Sequence, residues 1–107
     1  MTLAEDFEEE AGEPILFAVI GDMGWSNYGN DERHDPGLGR KGHLLDWGAA
    51  RPLLDYNYSS DYGAPDCQAV YAWTESKVLF VVQYDGSTWV SSLPRNPFGC
   101  VPTMPGG

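Results

Sequence analysis

Between residues 67 and 93, apolar and polar positions alternate in three short runs, 67–73, 78–84 and 88–93, each rich in β-branched and aromatic residues. Period-two alternation in such residues predicts half-buried β-strands. Thr74-Glu75-Ser76-Lys77 and Asp85-Gly86 separate the runs, and Asp-Gly is a strong hairpin signal because glycine takes positive φ without steric cost. With two-residue turns at Glu75-Ser76 and Asp85-Gly86, directly opposed residues share a face. One face then collects Cys67, Ala69, Tyr71, Trp73, Val78, Phe80, Val82, Tyr84, Trp89 and Leu93. The other collects Gln68, Val70, Ala72, Leu79, Val81, Gln83, Thr88, Val90 and Ser92. The first face is the more aromatic and is expected to be the core. The second is still partly apolar, so another element or a partner should cover it, and it offers a surface for homo-oligomer formation.

Upstream, residues 15–20 form a continuous apolar run between Pro14 and Gly21, the pattern of a buried strand and the natural fourth strand of the sheet. Residues 21–42 hold six glycines and no hydrophobic period, and so predict a long loop. Asp46 reads as the N-cap of a short helix near 46–55, with Trp47, Ala50 and Leu54 on one face and Pro52 ending or kinking it. Residues 56–65 are a second loop. Prolines at 94, 97, 102 and 105 forbid a further central strand and predict an extended C-terminal tail. The expected fold is α+β: a small antiparallel sheet of about four strands (the 67–93 meander plus 15–20), one short helix and a long Gly-rich loop.

Charge divides the chain unevenly. The formal net charge is −10, and six of the sixteen acidic residues fall between Glu5 and Glu13 with no basic neighbour. Leu3 and Phe7 make a thin apolar stripe, so residues 1–13 are expected to be a flexible acidic tail and 14–107 a single globular domain. Such acidity disfavours direct binding to a nucleic acid backbone. The longest apolar run is far short of the ~20 residues a bilayer-spanning helix needs, and no secretory pattern opens the chain, so a cytoplasmic protein with no membrane partner is expected. Cys67 and Cys100 are the two cysteines; without a secretory signal a bridge between them is disfavoured.

The strings Tyr84-Asp85-Gly86-Ser87-Thr88, Pro94-Arg95-Asn96-Pro97 and Met104-Pro105-Gly106-Gly107 make the C-terminal half resemble small proteins encoded by phages of actinobacteria. The resemblance implies a bacterial host cytoplasm and carries no catalytic residue across.

Candidate chemistry is sparse. Gly37-Leu38-Gly39-Arg40-Lys41-Gly42 matches G-x-G-x-x-G, but polar, turn-like residues precede it where a nucleotide site needs a strand. Gly24-Trp25-Ser26-Asn27-Tyr28-Gly29 nearly resembles a nucleophile elbow with its second glycine one residue late, and His34 or His43 with Asp22 or Asp35 would be needed to complete a triad. Residues 55–66 space oxygen side chains as a calcium loop does, yet Ser60 stands where glycine is required and Asp66 where a glutamate is. No catalytic residue, metal ligand or cofactor is therefore assigned. The loops instead combine Tyr with Ser, Gly, Asn and Asp, the composition of binding loops. Tyr56, Tyr58, Tyr62, Trp25 and Tyr28 are the expected partner contacts. The expected function is a non-enzymatic protein-binding module: in its concrete form, a phage-encoded factor that binds a host protein and inhibits or redirects it. The alternative is an acidic nucleic-acid mimic that blocks a DNA-binding protein, and the third is a small enzyme or metal-binding protein using the 21–42 loop.

Overall fold

The computed structural model describes residues 1–23, 42–58, 67–84 and 86–104. The elements are α1 (Leu3–Ala11), β1 (Ile15–Met23), β2 (Leu44–Asp46), α2 (Trp47–Ala50) continuing as a 3₁₀ turn (Arg51–Leu54), β3 (Gln68–Thr74), β4 (Lys77–Tyr84) and β5 (Ser87–Pro94). The strands form one antiparallel sheet in the order β2-β1-β3-β4-β5. The α+β class and the meander are those the alternation predicts, with β2 added as a fifth strand.

The register follows from the turns. Trp73 opposes Val78 and Tyr71 opposes Phe80, while Tyr84 opposes Ser87 and Val82 opposes Trp89, the pairing two-residue connections demand. Asp46 caps α2, its carboxylate accepting the Ala49 amide at 2.8 Å. The α-helix gives way to the 3₁₀ turn at the segment bearing Pro52, as a ring without an N–H requires.

The burial of the sheet is opposite to the sequence expectation. Gln68, Val70, Ala72 and Thr74 of β3 are buried, with Leu79 of β4 and Thr88 and Val90 of β5; Tyr71 is 59% exposed and Trp73 half-buried. The core is the face with smaller side chains, because α1 packs on it.

Residues 1–13 are thus not a flexible tail. Thr2 and Glu5 close a capping box, with Thr2 N–H donating to Glu5 Oε1 at 2.8 Å and Glu5 N–H donating to Thr2 Oγ1 at 3.1 Å. Gly12 ends the helix in the left-handed conformation at φ 65°, where a side chain would be strained. Between these caps Leu3, Ala4, Phe7 and Ala11 are all buried, a stripe wider than Leu3 and Phe7 alone because two alanines extend it. They share one core with Ile15, Ala18, Ile20, Ala50, Leu54 and Cys67. Fully burying Phe7 and Leu3 contributes about 1.5–3 kcal/mol each. Carboxylates fasten the layer. Glu8 accepts from Arg51 Nε at 2.9 Å and from the Trp47 indole at 3.1 Å. Glu13 holds the Ser76 amide at 3.0 Å.

Candidate functional site

The opposite face of the sheet is built by the same alternation. Phe17 and Val19 of β1 project from it with Leu44 of β2, Tyr71 and Trp73 of β3, Val78, Phe80 and Val82 of β4, and Trp89 and Leu93 of β5. Phe17 and Trp73 lie with ring centroids 5.7 Å apart, and Tyr71 meets Trp73 edge-on at 6.5 Å; both spacings fall in the range aromatic pairs prefer. Leu44 is 62% exposed and Leu93 54%. Among the described residues no helix packs across this face.

The face has relief. Gly21 and Ala69 lie side by side where their neighbours are large, leaving a depression of about 160 Å³ bordered by Val19 and Tyr71. A Cβ on Gly21 would sit 3.4 Å from the Ala69 carbonyl oxygen, so a larger residue would fill the depression.

It is also nearly uncharged. Asp46 is the single carboxylate at an outward register position among the described strand side chains, and it is occupied as the α2 cap. The acids cluster on the α1 side, where three of them are held below the ordinary carboxyl value of 4.5. The Thr2 backbone N–H does this for Glu5. The Arg51 guanidinium, then the Trp47 indole, does it for Glu8. The Thr74 hydroxyl and then Ser76 do it for Glu13. Pairing with Glu8 raises Arg51 in turn.

The loop tyrosines that the composition singles out fall elsewhere. Tyr56 and Tyr58 are half-buried and pack against the core. The Tyr56 hydroxyl bonds the Gln68 side chain and accepts the Gln68 amide at 3.2 Å; the Tyr58 hydroxyl donates to Asp6. Both are lids that tie α1 and β3 to the loop after the 3₁₀ turn, not free anchors. Tyr62, Trp25 and Tyr28 lie outside the described residues. So do Ser26, His34, Asp35, the Gly37–Lys41 part of the glycine-rich string and the 59–66 part of the calcium-like segment; Asp55 of that segment lies 3.8 Å from Arg51 Nη1. The partly apolar second face, on which the sequence predicts a surface for self-association, is the floor beneath α1. Of the outward residues, Tyr71, Trp73 and Phe80 are visible in the sequence as the aromatic half of the alternation, whereas Phe17 and Val19 lie in a continuous apolar run that marks neither face.

Among the described residues no group of three or more His, Cys, Asp and Glu side chains is placed to hold a metal. No described helix is long and apolar enough to cross a membrane. Cys67 is buried, Cys100 is exposed, and neither forms a disulfide. The fold defines the class as a helix packed on one side of an antiparallel sheet. No protein family, curated protein or solved structure matches the chain.

Proposed function

We propose that this chain is a non-enzymatic protein-binding module whose partner seats on the aromatic outer face of the sheet. The observation that carries the reading is the contiguous, nearly uncharged apolar face, with Tyr71, Leu93 and Leu44 each more than half exposed. Contiguous apolar patches of this kind mark interaction surfaces, and aromatic side chains dominate the energetically important centres of protein interfaces. The resemblance to actinobacterial phage proteins would make the partner a bacterial host protein, inhibited or redirected in the host cytoplasm. The nucleic-acid-mimic reading draws less support, since Glu5, Glu8 and Glu13 serve as internal fasteners.

The test is affinity capture from an actinobacterial lysate by the wild-type chain and by Tyr71→Glu and Leu93→Glu. Both positions are exposed, so both variants should keep the wild-type circular dichroism spectrum and melting temperature. Each should weaken capture by about thirtyfold, the factor an interface anchor of ~2 kcal/mol commands. Equal capture by folded wild type and variants would place the contact surface elsewhere.

A further inference from the structure

The two edges of the sheet are unlike. β2 spans only three residues, and very short edge strands are one way proteins prevent unwanted strand pairing. β5 spans eight residues and pairs with β4 without a bulge. From Ser87 to Leu93 it carries no proline and no charged side chain, so neither of these devices nor a bulge blunts the edge there.

Parity shows which backbone groups point outward. Arg95 N–H donates to the Ser76 carbonyl at 3.0 Å, continuing the ladder, so the odd-numbered residues of β5 bond to β4. The amides and carbonyls of Thr88, Val90 and Ser92 then point away from the sheet. Residues 97–103 come alongside the far end of β5, bordering a separate cleft with Ser92 and Leu93. Thr88 and Val90 instead border a cleft of about 380 Å³ whose opposite wall is Asp6, Glu9 and Glu10 of α1. Thr88 is 2% exposed, and its hydroxyl has no hydrogen-bond partner among the described residues. Lys77, the nearby cation, is held on the carbonyls of Glu10 and Ala11 at the helix end.

We propose that this cleft receives an extended segment of a partner protein, added as a sixth strand on the β5 edge and carrying alternating basic and apolar side chains. Strand addition supplies main-chain hydrogen bonds, and alternate side-chain positions supply specificity. A strand beside β5 directs every second side chain to the α1 side, against Glu9 and Glu10 and within reach of the Thr88 hydroxyl, while Asp6 is already held by the Tyr58 hydroxyl at the cleft wall. The intervening side chains continue the aromatic face beside Trp89. The chain's own six basic residues are scattered, so it has no such segment to offer itself. Pairing β5 with a second copy would bring two acidic helices together. The occupant is therefore a basic partner segment.

The probe is a fluorescently labelled, end-blocked nine-residue peptide alternating Lys and Val, with binding read by anisotropy. Comparators are the same composition in two blocks, the alternating peptide N-methylated at every residue, and its Glu-for-Lys counterpart. The alternating Lys peptide is expected to bind at least about tenfold tighter than all three, and more weakly as salt rises. Glu9→Gln with Glu10→Gln should weaken it roughly tenfold, as the loss of two exposed charge pairs implies. Both glutamates are exposed, and a glutamine at 10 can still accept the Ser92 hydroxyl that Glu10 Oε2 accepts at 2.8 Å, so folding should be unchanged. Tyr71→Glu should leave peptide binding intact, and the glutamine pair should leave capture through the aromatic face intact, so the two sites fail separately. Equal binding of the block or N-methylated peptide would reduce the effect to charge attraction and overturn strand addition. Absence of binding, or a dimer that the alternating peptide does not dissociate, would also overturn it.

Discussion

On its inner face β3 presents Gln68, Val70, Ala72 and Thr74; one residue out of step, on its outer face, it presents Ala69, Tyr71 and Trp73. The first set is buried and the second largely is not. Residue size explains the difference. Ala18 and Ala72 are buried in the same core as Leu3 and Phe7 of α1, and a floor of small side chains lets a helix bring its own large ones down onto the sheet. An aromatic floor would hold that helix away, and tyrosine and tryptophan keep a polar group that favours partial exposure. A face crowded with aromatic residues can thus be the face presented to another molecule.

If α1 is the cover of the inner face, the largest effect should come from Phe7→Ala. Its ring is fully buried, and truncation should cost about 3–5 kcal/mol, lowering the melting temperature by more than ~10 °C. Deleting residues 1–12 should be worse still and should leave an exposed apolar floor that binds hydrophobic dyes. A melting temperature unchanged by that deletion would mean that α1 does not hold the core.

Smaller effects sharpen the comparison. Thr2→Ala removes the capping box and should cost ~1 kcal/mol by chemical denaturation. Acid should act on the same layer. Glu5, Glu8 and Glu13 have folded values below 4.5, so each stabilises the fold above that pH, and the contribution is lost as pH falls through the folded value. The melting temperature should therefore be flat from pH 7 to about 5 and fall below 4.5. Glu8→Gln should cost no more than about 1 kcal/mol at neutral pH, the range of an exposed ion pair, and should show a shallower acid decline than wild type. Tyr71→Ala should have the smallest effect on folding, within about 0.5 kcal/mol. A loss comparable to that of Phe7→Ala would show the outer face to be a second core.

The strands were legible because the turns are short: Glu75-Ser76 and Asp85-Gly86 set the parity of the meander, and all later pairs follow. The N-cap role of Asp46 and the buried face Ala50–Leu54 were legible for the same local reason. Which face is inside was not, because that depends on a helix far away in the chain. The signals for that helix, Thr2 with Glu5 and alanines 4 and 11 beside Leu3 and Phe7, are weak beside six carboxylates. β2 is too short to show a period. Tyr56 and Tyr58 resemble binding-loop residues in composition, and only their hydroxyl partners, Gln68 and Asp6, mark them as lids.

Val70 and Tyr71 are neighbours on β3 that point to opposite faces, one 2% exposed and the other 59%. With exposed Cys100 replaced by Ser and buried Cys67 by Ala, a single cysteine can be placed at either position by Val70→Cys or Tyr71→Cys, and its reaction with a thiol reagent timed in the folded protein. The cysteine at 71 should react nearly as fast as in the unfolded chain. The cysteine at 70 should be slowed at least about a hundredfold, because labelling it requires opening the α1 layer. Equal rates, or protection at 71 with reaction at 70, would contradict the assignment of the small-residue face to the core and the aromatic face to the outside.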